Sequence, residues 1–258
     1  MKRCSEVAPG VFVATSRKML TTSTMLVGQG DALLIDPAWL PDELDAIAAS
    51  IRERQLNVVG GFATHAHYDH LLWHPGFGEA PRWASAKTAQ LADLERPALV
   101  KQLGAGFPRQ LVNVMGRVRA VDGRIPAASV PDGFEVELIV HDAHAPGHTA
   151  LWLPRQRVLI AGDMLSDVEL PLPYHPDNLP LYVDALDLLS PIVEQARVVV
   201  PGHGNVGNDA RARLDADRRY IDELSRRGTS DDVRVRNSGM AEAHENMRRL
   251  LQEADTDR

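Results

Sequence analysis

Residues 62–70 of the chain read FATHAHYDH and follow an apolar run that is typical of a buried strand. Alternate residues of an extended segment face the same way, so His65 and His67 can present their imidazoles to one metal ion. Asp69 and His70 come next, where we expect the chain to turn into a helix, and they can face a second ion. The stretch therefore predicts half of a site for two metal ions.

Four side chains cannot complete two coordination spheres, and three further candidates follow along the chain. His148 stands in the sequence APGHT and His203 in PGHG, so each histidine comes directly after a Pro-Gly pair that favours a tight turn. Asp163 follows another apolar strand-like run, which leaves a carboxylate at a strand end. Its two oxygens could bridge two cations.

Two other histidines precede His148 closely in the sequence. Spacing alone would admit His141 or His144 as the ligand from this region. The Pro-Gly pair directly before His148 favours that residue, because the turn would let the chain come close to the ion. We therefore predict His148 as the ligand.

In these motifs the chain resembles the metallo-β-lactamase superfamily, and within it the binuclear hydrolases such as glyoxalase II and the lactonases. The resemblance covers the motif skeleton from about residue 24 to residue 204. It implies an α/β fold, the four-layer αββα sandwich of this superfamily, and the tail sequence adds C-terminal helices. It also implies seven metal ligands, three for each ion and one that bridges them. These are His65, His67 and His148 for the first ion, Asp69, His70 and His203 for the second, and Asp163 as the bridge.

The resemblance also draws attention to Asp36, which ends the apolar run LLI. It matches an early strand-end aspartate of the superfamily that usually supports the site. A turn residue at a strand end is an equally good explanation of Asp36.

The ligand set implies a mechanism. Two divalent ions can share a water and lower its pKa toward about 7, which makes hydroxide available at neutral pH. We expect a binuclear metal-dependent hydrolase that uses a metal-bridging hydroxide to cleave a small ester, thioester or lactone. Asp69 is the expected catalytic residue, because it can orient the hydroxide or take its proton. The ligands suit zinc, and also iron or manganese. The alternatives are a metal-dependent phosphodiesterase and a non-catalytic metal-binding module.

Differences from individual branches of the superfamily narrow the range of substrates that we expect. The β-lactamases lack the bridging aspartate that Asp163 supplies. Glyoxalase II proteins add a C-terminal domain with basic glutathione contacts, which we do not identify in this sequence. Lactonases usually have a tyrosine where this chain has Ser166. This difference argues against a lactonase but does not exclude one.

Length and composition are those of a globular enzyme. The chain has 258 residues, of which 44% are hydrophobic and 24% charged, and we expect a single domain over residues 1–258 with residues 208–258 as a helical tail packed on it. Cys4 is the only cysteine. A thiolate cluster is therefore impossible, and any metal must use histidine, aspartate or glutamate.

The charge balance bears on partners. A net charge of −7 argues against nucleic-acid binding, which requires clustered lysine and arginine. We expect a small-molecule substrate, and an anionic one would suit a site with two divalent ions and only two carboxylates. No segment approaches the roughly 20 apolar residues that span a bilayer, and the N-terminus lacks a secretory pattern. We expect a cytoplasmic protein without a membrane partner.

Two segments lack a clear pattern, Ser85–Pro131 and Ser166–Pro180. The second is rich in proline and follows Asp163, so it fits a loop over the site as well as a plain surface connection. Tyr174 and His175 within it could contact substrate or simply lie on the surface.

Overall fold

The computed structural model describes residues 4–173 and 179–256, in which eleven strands form two sheets. The first sheet has seven strands in chain order: β1 Ser5–Ala8, β2 Val11–Thr15, β3 Thr22–Gly28, β4 Asp31–Ile35, β5 Asn57–Phe62, β6 Arg82–Ala84 and β7 Arg119–Ala120. The second has four strands in the order β11-β10-β9-β8: β8 Glu137–His141, β9 His148–Leu153, β10 Val158–Gly162 and β11 Val198–Pro201. The helices are α1 Pro41–Glu53, α2 Ala86–Leu94, α3 Arg96–Leu103, α4 Arg109–Val114, α5 Leu179–Val193, α6 Ala210–Arg227 and α7 Met240–Thr256.

The strands β4, β10 and β11 are largely apolar because both faces of each sheet are buried there. In β4, Leu33 and Ile35 belong to the core between the sheets, whereas Leu34 packs on the outer side. In β10, Ile160 faces the inner core and Leu159 the outer one. This alternation is the period of two that a strand requires.

Helices cover the outer face of each sheet. Leu44 of α1 and Leu99 of α3 belong to the core on the seven-stranded sheet. Leu186 of α5, Leu214 of α6 and Met247 of α7 belong to the core on the four-stranded sheet. The layers are therefore helix, sheet, sheet and helix, which confirms the predicted αββα sandwich.

The helices follow the amphipathic pattern of surface elements. Helix α6, for example, buries Leu214, Ile221 and Leu224 and carries charged residues on its other face. Among the helices of residues 4–173 and 179–256, we find none with the length and apolar character that crossing a bilayer requires.

The structure differs from the sequence prediction in two segments. No helix begins at Asp69; the chain bends, and only a short 3₁₀ helix follows at Pro75–Phe77. Pro75 has no backbone N–H to donate, which is compatible with the first turn of a helix but not with its interior. The segment 85–131, which lacked a clear pattern, contains α2, α3, α4 and β7.

Candidate metal centre

Strand ends bring the candidate ligands together. His65, His67 and their neighbours follow β5, Asp163 follows β10, and His203 follows β11. The loop between β8 and β9 lies at the same edge, because β9 runs antiparallel to β10. Residues far apart in sequence therefore meet at one end of the sandwich.

Nitrogen and oxygen atoms form two adjacent groups of possible ligands. The atoms of each group lie within 4.8 Å of one another. The first ligand group consists of His65, His67, His144 and Asp163, and the second of Asp69, His70 and His203. In the second, Nε2 of His203 lies 3.3 Å from Oδ2 of Asp69 and 3.3 Å from Nε2 of His70.

Asp163 contacts both groups. Its Oδ2 lies 3.4 Å from Nε2 of His65 and 3.3 Å from Nε2 of His203. Its Oδ1 lies 3.2 Å from Nε2 of His70. Gly202 leaves room for this carboxylate, because any Cβ there would collide with Oδ1 of Asp163. Asp163 is thus placed where a bridging ligand would be.

The structure brings a different histidine into the first ligand group from the one that the sequence predicts. His144, not His148, faces the first ligand group: its Nε2 lies 3.1 Å from Nδ1 of His67 and 3.2 Å from Oδ2 of Asp163. His148 is buried behind the site, and its Nε2 accepts the backbone N–H of Asp163 at 3.0 Å. It therefore positions the main chain of Asp163.

A turn explains the exchange of the two histidines. The backbone N–H of His148 donates to Ala145 at 3.0 Å, and Gly147 has a φ of +75°, as expected for a type II turn with Pro146 and Gly147 at its centre. The turn folds the chain back into β9. His144, which precedes it, therefore faces the site, and spacing carries no signal that separates the two.

Hydrogen bonds to main-chain oxygens orient two of the imidazoles. Nδ1 of His203 lies 3.0 Å from the carbonyl oxygen of Met19, and Nδ1 of His144 lies 2.8 Å from that of Leu172. A carbonyl oxygen can only accept, so Nδ1 donates in both cases. Nε2 is left as the acceptor that a metal ion requires.

Asp36 orients a third imidazole. Its Oδ2 lies 2.9 Å from Nδ1 of His70, and its two oxygens accept from the backbone N–H and the hydroxyl of Thr64 at 2.8 and 2.6 Å. Asp36 has a φ of +47°, a region in which aspartate is one of the better tolerated residues. The structure thus places Asp36 beside the site rather than in an isolated turn.

The electrostatics separate the imidazoles into two kinds. Burial is the main cause that lowers the pKa of His65 well below its usual range and that of His67 to about 4. Burial also lowers the pKa of His70, but the carboxylates of Asp163 and Asp69 outweigh it and raise that pKa to about 9. His65 and His67 are therefore neutral, whereas His70 in the second group holds a proton where a cation could bind.

The donor set fits divalent metal ions. Oδ1 of Asp163 is buried and accepts no hydrogen bond from any residue that the structure describes. Nε2 of His65 and Nδ1 of His67 face each other at 2.9 Å. Imidazole and carboxylate ligands without thiolate suit zinc, iron and manganese.

A groove of about 250 Å³ adjoins His67. Leu91, Leu99 and Pro146 line it, and Glu95 adds one carboxylate. It lies between the β8–β9 loop and helices α2 and α3, the segment that lacked a clear sequence pattern. Such a groove can take an apolar group next to the first ligand group.

Other residues near the site had no distinguishing pattern in the sequence. Glu169 lies in the loop after Asp163, and Arg234 lies in a 3₁₀ helix between α6 and α7. Arg234 donates to main-chain oxygens of that loop. Because the tail contains many arginines, nothing in the sequence distinguishes this one. Tyr174 and His175 fall outside the described residues.

Comparisons with known proteins show which family and which solved structures this chain is similar to. The family model of the metallo-beta-lactamase superfamily matches residues 17–203. The probable metallo-hydrolase YflN of Bacillus subtilis is 26% identical over 184 residues, which are 64% of this chain and 67% of that protein. A beta-lactamase domain protein from Burkholderia ambifaria has a TM-score of 0.65 at 21% identity, covering 86% of this chain and 74% of that one. A metallo-beta-lactamase family protein from Thermus thermophilus has a TM-score of 0.63 at 22% identity, covering 85% and 82%.

The solved structures share the fold, and the family match covers most of the chain, including every residue of both ligand groups. Together with the metallo-hydrolase relative, the match confirms the prediction of a metal-dependent hydrolase. The chain belongs to the metallo-beta-lactamase superfamily.

Proposed function

We propose that this protein is a binuclear hydrolase that cleaves an ester, thioester or lactone bond in a small molecule. The position of Asp163 is the main support, because its carboxylate lies within 3.4 Å of ligand atoms from both groups. Two divalent ions held there would lower the pKa of water and polarise a carbonyl oxygen. Zinc is the ion that this ligand set suits best.

The groove beside His67 supports an organic substrate. Leu91, Leu99 and Pro146 offer apolar contacts for an acyl or alkyl group. A group bound there would hold its carbonyl carbon next to the first ligand group, and this fixed approach supplies part of the rate enhancement.

Asp69 is the residue that we expect to handle a proton. It is buried, and its Oδ2 lies 3.3 Å from Nε2 of His203 and 3.6 Å from Nε2 of His70. It can accept a proton from the attacking water at Oδ2 while its neighbours hold the carboxylate in place.

The test combines metal analysis with a substrate panel. Purified protein is loaded with zinc and assayed on aryl esters, thioesters and lactones, with bis-aryl phosphates as the contrasting class. We expect turnover of at least one acyl substrate that a chelator abolishes and zinc restores. Asp163→Ala should lose this activity, whereas His244→Ala, which alters a histidine of α7, should keep it.

Two outcomes would contradict the proposal. Metal-dependent turnover of the phosphodiester alone would assign the other hydrolytic class. Less than one metal ion per chain, with no turnover on any substrate, would indicate a non-catalytic module.

A further inference from the structure

The loop at residues 163–170, the Asp163 loop, is fixed beside the candidate centre by the hydroxyl of Ser166 and the guanidinium of Arg234. The hydroxyl of Ser166 donates to the carbonyl oxygen of His203 at 2.7 Å and accepts the backbone N–H of Glu169 at 2.9 Å. The guanidinium of Arg234 donates from Nη1 to the carbonyl oxygens of Ser166 and Glu169, each at 3.0 Å. Glu169 is therefore held at a defined place beside His203.

The guanidinium of Arg234 forms its ion pairs with other carboxylates than that of Glu169. Nη1 lies 2.6 Å from Oδ1 of Asp217, and Nη2 lies 2.9 Å from Oδ2 of Asp232. Those two carboxylates balance the guanidinium, whose bonds to the Asp163 loop go to main-chain oxygens. The loop is clamped without neutralising Glu169.

The contacts of Ser166 and Arg234 place Glu169 beside the candidate centre. Glu169 is partly buried, and no side chain that the structure describes forms a hydrogen bond or ion pair with it. Apart from burial, the strongest influences on its pKa come from His203 and Asp163, followed by His144 and Asp69. Glu169 in turn contributes to the raised pKa of His203. One carboxylate outside both ligand groups thus acts on both.

This carboxylate changes the charge that a substrate meets. Asp69 and Asp163 offset only half the charge of two divalent ions, which would favour an anionic substrate. The carboxylate of Glu169 would offset a further positive charge near His203, and Glu169 is not one of the residues that line the apolar groove beside His67. A substrate group near Glu169 meets a fixed negative charge in a partly dry site, where charges interact more strongly than in water.

We propose that Glu169 is a specificity-determining residue that favours substrates with an ammonium group near the scissile bond and disfavours those with a carboxylate or phosphate there. The assignment of a substrate class rests on the proposed hydrolase function. The charge effect itself belongs to the site and can be measured without turnover.

The experiment compares Glu169→Gln with Glu137→Gln, which removes the same charge from an exposed position on β8. Each zinc-loaded protein is titrated with inorganic phosphate by calorimetry. Glu169→Gln should bind phosphate about 3- to 30-fold more tightly than wild type, from one charge at close range with partial screening. Glu137→Gln should bind like wild type, and Glu169→Asp should stay within about 3-fold of wild type because the charge is kept.

A second measurement uses matched aryl esters whose acyl groups carry an ammonium, a neutral or a carboxylate substituent. Wild type should give the highest kcat/KM with the ammonium ester and the lowest with the carboxylate ester. Glu169→Gln should reduce this ratio by a similar 3- to 30-fold. If that variant does not fold, the wild-type order still decides, since a preference for the carboxylate ester would overturn the inference.

The other possible results also test the inference. An unchanged phosphate affinity in Glu169→Gln would overturn the inference. Fewer zinc ions in that variant would overturn it too, because Glu169 would then be a ligand. If wild type hydrolyses none of the three esters and no other acyl substrate, the proposed function fails, while the phosphate titration still tests the charge effect.

Discussion

Nε2 of His144 lies 3.2 Å from Oδ2 of Asp163, and both residues belong to the first ligand group. Nε2 of His148 instead accepts the backbone N–H of Asp163 at 3.0 Å. The two histidines therefore have different tasks, and each can be tested separately.

Replacing the two histidines should give opposite results. His144→Ala removes a ligand atom, so we expect loss of one zinc ion per chain and of activity, with a folded protein. His148→Ala removes a buried hydrogen-bond acceptor, so we expect a loss in stability of about 1–3 kcal/mol with both ions retained at saturating zinc. Mass spectrometry of the metal content and urea unfolding measure the two effects. The reverse pattern would return the ligand role to His148.

Asp69→Asn should abolish turnover and weaken only the second metal ion. Asp69 belongs to the second ligand group, and the first group keeps all its members in this variant. Zinc titration against a chelating dye would resolve two affinities in wild type and show one of them reduced. Equal weakening of both ions, or of neither, would mean that the division into two groups is wrong.

Asp36→Asn tests the orienting contact to His70. Asparagine also tolerates a positive φ, so the backbone should be retained while the carboxylate charge is lost. Residues that orient a ligand typically contribute 10- to 100-fold in metal affinity, and we expect about that loss for the second ion and little change for the first. Unaltered affinity for the second ion in the same dye titration would exclude this role.

The metal-free protein should lose stability as the pH rises from about 6.5 to 9. The pKa of His70 is raised to about 9 in the folded state, so its proton stabilises that state below the unfolded value of about 6.5 and the benefit is lost as the pH rises through 9. The pKa of His203 is raised too, in the same direction, whereas those of His65 and His67 are lowered and should not titrate in this window. The contribution of His70 alone is about 3 kcal/mol.

Urea unfolding after chelation, at several pH values, measures this effect. Zinc-loaded protein should lack it, because bound metal replaces the proton. A metal-free protein that becomes more stable over this range would contradict the assignment.

Arg234→Ala should destabilise the protein by about 3–5 kcal/mol, because it leaves the buried carboxylate of Asp217 without its partner. Activity at a temperature where the variant is still folded should also fall, since the Asp163 loop loses two hydrogen bonds. Arg226→Ala, at an exposed position of α6, is the matched control. Full activity in folded Arg234→Ala would show that the clamp affects stability alone.

The local sequence pattern was sufficient to predict many of the strands and four of the candidate ligands. The apolar runs predicted the principal strands because strands buried on both faces are apolar throughout. His65, His67, Asp69 and His70 could be predicted together because a short segment after a strand brings them to one place without help from the rest of the chain.

Other features depend on packing that no short segment contains. His144 and His148 flank the same Pro-Gly turn, and the ring of His148 packs closely against Gly162, on a distant strand. The contact of Arg234 with the Asp163 loop joins residues 65 to 68 positions apart. The position of Glu169 depends on that contact, so its charge could not be placed beside the ligand groups from the sequence.

The central claim is that the two ligand groups hold two metal ions that share Asp163. A crystal structure of the zinc-loaded protein, with anomalous diffraction at the zinc edge, tests it most directly. We predict two anomalous peaks about 3.5–4 Å apart, one bound by His65, His67 and His144, the other by Asp69, His70 and His203, with Asp163 touching both. A single peak, or a zinc ion bound by His148, would contradict the account.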